Sequence, residues 1–322
     1  MLRIKFSAGR QFSASKSPTS CSRKPLCRIF IKTPMNDERI KIEPYHKQPA
    51  DNAFLYRYVT IDKLLDFLFS GRIPLVRLTE FEDKLEGVDI QHLLWNLAGD
   101  KIGEELKSQA VGGILRHITA NIFPTKRNNY RRKRQIFQKT NFATCWYESN
   151  HESVAMWQLY SKPDSVAIRI PYKVLSTELF NNDFTISHSE TVRLRFGSID
   201  YSRFNDIDEL SNIVVKDDTQ GFIKDASFSH EREFRIMLEI KQKEEKKADA
   251  SWVMLDEQVE RLNSIRDIKV ISLNLTKFRE MPFEIIFHPQ SFDWHRKNII
   301  KIFDKFELKF SSKESALREI FK

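Results

Sequence analysis

The chain has 322 residues, of which 41% are hydrophobic and 12% aromatic, so it can bury a core and is not disordered as a whole. Lys and Arg number 53 against 44 Asp and Glu, which gives a formal net charge of +9. Eight basic residues and no acidic residue fall within residues 1–34, so the rest of the chain holds only +1 of that +9. This distribution disfavours a uniformly cationic protein that coats nucleic acid.

The first 34 residues are rich in Ser and basic side chains, a composition typical of an organellar transit peptide. They show no clear amphipathic helix, and the alternative is an upstream extension with translation beginning at Met35. No apolar run approaches the roughly 20 residues of a membrane span, and the three scattered cysteines favour a reducing compartment. We predict a disordered leader and linker over residues 1–53 and a cytoplasmic body, with organellar import as the alternative.

Hydrophobic patterns after the linker predict alternating strands and helices in an irregular order. Thr60 precedes a helix over Ile61–Ser70 whose apolar residues share one face, and Gly71 follows as a stop signal. Further strands are predicted at 54–59, 73–78, 142–147, 165–170, 192–201, 233–240, 270–275 and 283–288, before a last helix at 293–306. The long connections differ from regular βαβ alternation and predict one mixed α+β domain over residues 54–312, with a central, mostly antiparallel sheet and flanking helices. A C-terminal tail is predicted over 313–322.

The segment from His230 to Ile240 predicts a strand that bears charged residues on one face. A period of two places Glu231, Glu233 and Arg235 on that face and the alternate apolar residues on the other, toward a core. Two carboxylates held rigidly beside a guanidinium can bind a sugar hydroxyl or stabilise a developing cation, and the guanidinium can bind a phosphate. The alternative is an exposed strand face with a self-satisfied ion pair.

A second signal lies in the helical stretch from Glu152 to Tyr160. Helical spacing places Ser153, Met156, Trp157 and Tyr160 on one face, which is aromatic with polar tips. Such a face suits a planar ring such as a nucleobase or nicotinamide, but it is also the common pattern of a buried helix face.

Two other segments allow weaker interpretations. Asp83 and Glu86 follow a strand and suggest a metal site, but they have no nearby His, so a turn before a helix is favoured and no metal is expected. Residues 126–134 form the one dense basic run of the body, and its last members, Arg131, Arg132, Lys133 and Arg134, are candidate nucleic-acid contacts. The alternative for this run is a solvated helix face. Phosphate-loop, Rossmann and α/β-hydrolase motifs are all missing from the sequence.

Five motifs in order resemble those of a mostly bacterial family, the domain of unknown function numbered 2971, over about residues 54–312. They are Tyr56-Arg57-Tyr58, the turn Phe81–Glu86, Cys145-Trp146-Tyr147, Met156–Tyr160 and Glu231-Arg232-Glu233-Phe234-Arg235. The turn lacks the Asn and Pro of the family pattern, and the stretch after Tyr160 lacks the usual Gly. The resemblance implies an uncharacterised bacterial protein, with phage defence as one hypothesis for its role.

The order of candidate residues is similar to that in ADP-ribosyltransferases, which use NAD. By this analogy Arg57, Tyr160, Glu231 and Glu233 are predicted to be catalytic, and the predicted substrate-binding residues are Tyr56, Ser153, Trp157 and Arg235. Glu233 would hold the ribose hydroxyl, an aromatic ring would stack on nicotinamide, and Arg57 or Arg235 would bind a phosphate. The alternative function is a non-catalytic or defence-associated module that binds nucleic acid through residues 126–134. The analogy predicts that Arg57, Tyr160 and Glu233 converge on one cleft.

Overall fold

The computed structural model describes residues 40–83, 85–90, 93–94, 96–97, 123–180, 191–214, 219–241, 265, 267–275, 281–307 and 310–321. The predicted leader, residues 1–34, therefore lies outside the described residues. The strands are β1 Ile40–Pro44, β2 Phe54–Thr60, β3 Arg72–Arg77, β4 Asn141–Glu148, β5 Ser165–Pro171, β6 Thr191–Ser198, β7 Asp200–Ser202, β8 Ile223–Asp225, β9 Glu233–Lys241, β10 Val270–Asn274, β11 Glu284–Phe287 and β12 Ser311–Glu314. The helices are α1 Ile61–Ser70, α2 Phe123–Thr140, α3 Val154–Tyr160, α4 Tyr172–Phe180, α5 Ile207–Val214 and α6 Asp293–Lys305.

Ten of these strands form one sheet, whose main path runs β1-β6-β9-β4-β2-β5-β11-β12, with β3 and β10 branching from β4. Two pairs are parallel, β1 with β6 and β11 with β12, and the other pairs of this sheet are antiparallel. Short strands β7 and β8 form a separate parallel pair. The predicted α+β class with a mostly antiparallel central sheet is confirmed.

Helix α1 has the predicted bounds and connects two strands that lie apart in the sheet. Its apolar side chains, Leu64, Phe67 and Leu68, are buried against the core. Gly71 ends the helix in a left-handed conformation (φ 64°), and its backbone N–H donates to the carbonyl of Phe67 at 2.9 Å. Thr60 stands at the N-cap position but makes no side-chain capping bond. The two strands that α1 connects, β2 and β3, pair with different parts of β4.

Strand β9 lies in the middle of the sheet between β4 and β6. The predicted core face is confirmed, because Phe234, Ile236, Leu238 and Ile240 are all buried in the main hydrophobic cluster. The opposite face is buried as well, where Met237 packs in a second cluster with Phe222 and Leu78. A strand that is covered on both faces has to satisfy any charged side chain by internal partners.

The sheet extends beyond the predicted domain on both sides. The predicted linker contains β1, and its residue Gln48 donates to the carbonyl of Phe196 in β6 at 2.8 Å. A Cβ at Gly197 would lie 2.6 Å from the carbonyl oxygen of Lys47, so only glycine allows this segment to pass so closely. The predicted tail contains the last two residues of β12, which pairs with β11. The boundaries at residues 54 and 312 are therefore too narrow. Among the described residues, no helix has the length and apolar character to cross a membrane.

Candidate active site

A fork in the sheet creates the space for a cleft. One edge of β4 pairs along its length with β9, while the other edge is shared by two strands. At one end β3 pairs with Phe142 and Ala143, and at the other β2 pairs with Tyr147 and Glu148. A cleft of about 470 Å³ lies beside this fork and is lined by Tyr56, Arg57, Tyr58, Phe81, Glu82, Asp83, Cys145, Trp146, Tyr147, Met156, Leu159, Tyr160, Lys224, Phe228, His230, Glu231 and Glu233.

Behind the cleft, the fully buried guanidinium of Arg235 forms the centre of an ion-pair network. Its two terminal nitrogens donate to the two carboxylate oxygens of Glu86 at 2.5 and 3.1 Å, and Nε donates to Glu233 Oε1 at 2.6 Å. Burial disfavours the charged guanidinium, but the attraction of Glu233 and then of Glu86 outweighs burial and raises the pKa of Arg235. The network joins the loop after β3 to the start of β9.

Gly221 completes the set of partners around this guanidinium. Its carbonyl oxygen accepts a hydrogen bond from Arg235 Nη1 at 2.6 Å. Gly221 has a φ of 83°, and a Cβ at this position would lie 2.7 Å from Met237 Sδ. Both the backbone conformation and the lack of space therefore require glycine here.

Lys224 of β8 connects the two carboxylates that face the cleft. Its ammonium lies 2.7 Å from Glu231 Oε2 and 2.8 Å from Glu233 Oε2. Burial raises the pKa of Glu233, but the charges of Arg235 and then Lys224 outweigh burial and lower it to about 2. Glu233 is therefore a permanent anion at neutral pH. On the other side of Glu231, the hydroxyl of Tyr160 donates to Oε1 at 2.6 Å.

Arg57 of β2 is another cation that lines the cleft, in surroundings different from those of Lys224. Among the described residues, no carboxylate lies within ion-pair distance of its guanidinium, which sits 5.6 Å from the centre of the Trp146 ring. Burial without a counter-charge lowers the pKa of Arg57 to about 10. A partly desolvated guanidinium that lines a cleft and lacks an acidic partner among the described residues can donate hydrogen bonds to an anionic group.

Aromatic rings form much of the remaining wall. Tyr147 lies 6.3 Å from Tyr56 and 6.4 Å from Tyr58 between ring centres, so three tyrosines from β2 and β4 are grouped together. Tyr160 stands at the end of α3 with about half of its surface exposed. Rings of this kind offer faces and edges to a planar ligand group.

The structure brings together five of the eight residues predicted for catalysis or substrate binding: Arg57, Tyr160, Glu231 and Glu233, with Tyr56 beside them. Arg57, Tyr160 and Glu233 come from distant parts of the chain and line the same cleft, as the analogy predicted.

The other three predicted substrate-binding residues do not line the cleft. Ser153 is the N-cap of α3, and its hydroxyl accepts from the backbone N–H of Met156 at 3.3 Å. Trp157 is fully buried, and its indole N–H donates to Glu152 at 3.0 Å, so its ring belongs to the core. The guanidinium of Arg235 donates hydrogen bonds to Glu86, Glu233 and Gly221. Because it is fully buried, a phosphate in the cleft cannot reach it.

Glu231 reaches the cleft by a different route from the one predicted. It ends a 3₁₀ helix over Ala226–Glu231, and β9 begins only at Glu233. Between them Arg232 adopts a left-handed conformation (φ 38°), so strand alternation does not apply to this pair. The carboxylates of Glu231 and Glu233 meet because both bind Lys224.

The sequence patterns did not predict the role of Lys224 or the ion pair of Glu86 with Arg235. A single lysine forms no recognisable sequence motif. Only the acidic residues that lie near Lys224 in the sequence could have indicated that its ammonium forms ion pairs. Asp83 forms a turn, since its Oδ1 accepts from the backbone N–H of Leu85 at 2.8 Å, and Glu86 is buried against Arg235. Within the described ranges, no group of three or more His, Cys, Asp and Glu residues is arranged to hold a metal ion.

The basic run lies on α2, and none of its residues lines the cleft. Arg131, Arg132 and Lys133 are exposed, and Arg134 is partly buried. Exposure is compatible with both a solvated helix face and a binding surface, so nucleic-acid binding by this run stays a prediction.

Comparisons with known proteins add no relative to this picture. No protein-family model, no curated protein and no solved structure matches the chain. The resemblance to family 2971 therefore stays a prediction that rests on the five motifs. Any function of this protein has to be inferred from the residues of the cleft.

The pKa of Glu233 predicts a specific pH dependence of stability. Its folded pKa of about 2 lies below the ordinary value of 4.5, so its contribution is complete above pH 4.5 and is lost as the pH falls toward 2. The difference in unfolding free energy between wild type and Glu233→Gln should shrink by on the order of 2 kcal/mol between pH 7 and pH 3. Urea unfolding of both proteins at the two pH values measures this difference in unfolding free energy. A difference that stays constant between the two pH values would contradict the lowered pKa of Glu233.

Proposed function

We propose that this protein is an ADP-ribosyltransferase-like enzyme that uses NAD as substrate in the cleft beside the sheet fork. The observation that carries the proposal is the convergence of Arg57, Tyr160 and Glu233 on one cleft of about 470 Å³. That volume lies within the range of small-molecule sites, roughly 300–1,000 Å³. The cleft also combines three kinds of group that can bind a dinucleotide: aromatic rings, carboxylates, and a cation, Arg57, that has no acidic partner among the described residues.

Glu233 is suited to stabilise positive charge. In the transfer, the bond between the ribose C1′ and the nicotinamide nitrogen breaks, the electron pair leaves with nicotinamide, and C1′ gains cationic character. A carboxylate with a pKa of about 2 remains ionised throughout and can accept a hydrogen bond from the ribose hydroxyl. The same low pKa makes Glu233 a poor proton acceptor, so the acceptor nucleophile that bonds to C1′ must lose its proton elsewhere.

Arg57 and Tyr160 supply the remaining contacts. The guanidinium of Arg57 lacks an acidic partner among the described residues and so is available to a phosphate of NAD. Tyr160 is the exposed aromatic ring of α3 at the cleft and takes the stacking role on nicotinamide, since Trp157 is buried. Its hydroxyl is bonded to Glu231, which fixes the orientation of the ring.

Incubation of the full chain with labelled NAD and cell lysate tests the proposal. We expect label transfer or NAD loss with wild type and a reduction of about 100-fold or more in Glu233→Gln, because a group that stabilises charge in the transition state is removed. Arg57→Met should weaken NAD binding, because it removes the guanidinium that is proposed to bind a phosphate of NAD. Folding of each variant is checked by circular dichroism.

Glu284→Gln is the matched control, since Glu284 also pairs with two cations, Arg169 and Lys313, but does not line the cleft. This variant should retain wild-type activity. Absence of any label transfer and NAD loss with wild type, or full activity in folded Glu233→Gln, would overturn the proposal.

A second candidate function is nucleic-acid binding through α2, favoured by the exposure of Arg131, Arg132 and Lys133 on one turn of that helix. Changing these three residues to Glu should abolish retention on immobilised RNA or DNA at low salt, whereas Glu233→Gln should leave it intact. Equal retention of both variants would exclude this surface as the binding site.

A further inference from the structure

Lys224 is a buried lysine that lies between the two cleft carboxylates, on the short strand β8. Its ammonium makes close ion pairs with Glu231 and Glu233, through the Oε2 atom of each. Each of these three side chains comes from a different element, β8, the 3₁₀ helix before β9, and β9 itself. Lys224 is thus the point where these elements are joined at the cleft.

We propose that Lys224 is a positioning residue, which holds Glu231 and Glu233 side by side as two carboxylate anions on one wall of the cleft. The inference deepens the proposed function, because a pair of anions is what a developing cation requires. It stands on the two ion-pair contacts and on the burial of Lys224 and Glu233, beside which Glu231 is partly buried.

The physical reason lies in like-charge repulsion. Because both Oε2 atoms touch one ammonium, the two carboxylates lie within a few ångströms of each other. Without an intervening cation, two carboxylates at such a separation cannot both ionise readily, and one retains a proton to a higher pH. Tyr160, which donates to Glu231, and Arg235, which donates to Glu233, each reach only one member of the pair.

Other titratable groups around the pair do not replace the ammonium. Tyr201 accepts a hydrogen bond from the backbone N–H of Glu233 through its hydroxyl, and burial is the main cause of its raised pKa. Burial likewise raises the pKa of the Cys145 thiol, which faces Glu233. The charged and titratable groups that face the pair from the surrounding elements are Glu86, Cys145, Tyr160, Tyr201, Lys224 and Arg235. Of these, Lys224 alone contacts both carboxylates.

Carbon-13 NMR titration of labelled glutamate carboxyls in the full chain tests the proposal, with Glu231→Gln and Glu233→Gln used to assign the signals. In wild type, the carboxyl of Glu233 should be ionised at pH 6. In Lys224→Met, this carboxyl should titrate at a pH about 1 or more higher than in wild type. Lys224→Arg should restore the wild-type titration, because it returns a positive charge to the same place.

Lys269→Met is the matched control, since Lys269 forms an exposed ion pair with Glu80 and should leave both titrations unchanged. A protonated Glu233 carboxyl in wild type at pH 6 would overturn the proposal, and so would a folded Lys224→Met variant in which Glu233 titrates as in wild type. If Lys224→Met fails to fold, the NMR titration of wild type still tests the proposal. Since no NAD is present, the outcome is independent of the activity test of the proposed function.

Discussion

The buried guanidinium of Arg235 is the interaction on which the rest of the site depends. A charge removed from water is costly unless hydrogen bonds and counter-charges surround it. Here Glu86 provides a two-point contact, Glu233 accepts from Nε, and the carbonyl of Gly221 accepts a further bond. These partners come from the loop after β3, the start of β9 and the turn before β8, so satisfying one guanidinium brings three segments of the chain together.

From this centre the charges alternate outward to the cleft. Glu86, Arg235, Glu233, Lys224 and Glu231 form a chain of opposite charges in which each neighbour pair is bonded. The inner members are inaccessible and structural, whereas the outer carboxylates line the cleft. Arg57 stands apart from this chain, with an aromatic neighbour in place of a carboxylate. Among the described residues of the site, Arg235 and Lys224 are paired with carboxylates, whereas Arg57 lies against an aromatic ring.

Local patterns in the sequence predict the elements well and the site only in part. The apolar face of α1, its stop at Gly71 and the core face of β9 follow from periodicity, and all are present in the structure. Periodicity cannot tell which aromatic residue of a helix face is buried, so Trp157 and Tyr160 were both predicted to be functional although one is core and the other exposed. The position of Glu231 depends on the left-handed backbone of Arg232, which a strand pattern does not reveal. Glu86 and Arg235 pair across 149 positions of sequence, and no local signal specifies such a contact.

The unfolding free energy of Arg235→Met tests most directly whether this guanidinium organises the site. A central role for the guanidinium predicts a loss of about 3–5 kcal/mol, because Glu86 would be left buried without a counter-charge. It also predicts that Arg235→Met combined with Glu86→Gln is more stable than Arg235→Met alone, since the orphaned carboxylate is removed. A loss of about 1 kcal/mol or less in the single variant, with no gain from the second substitution, would contradict it.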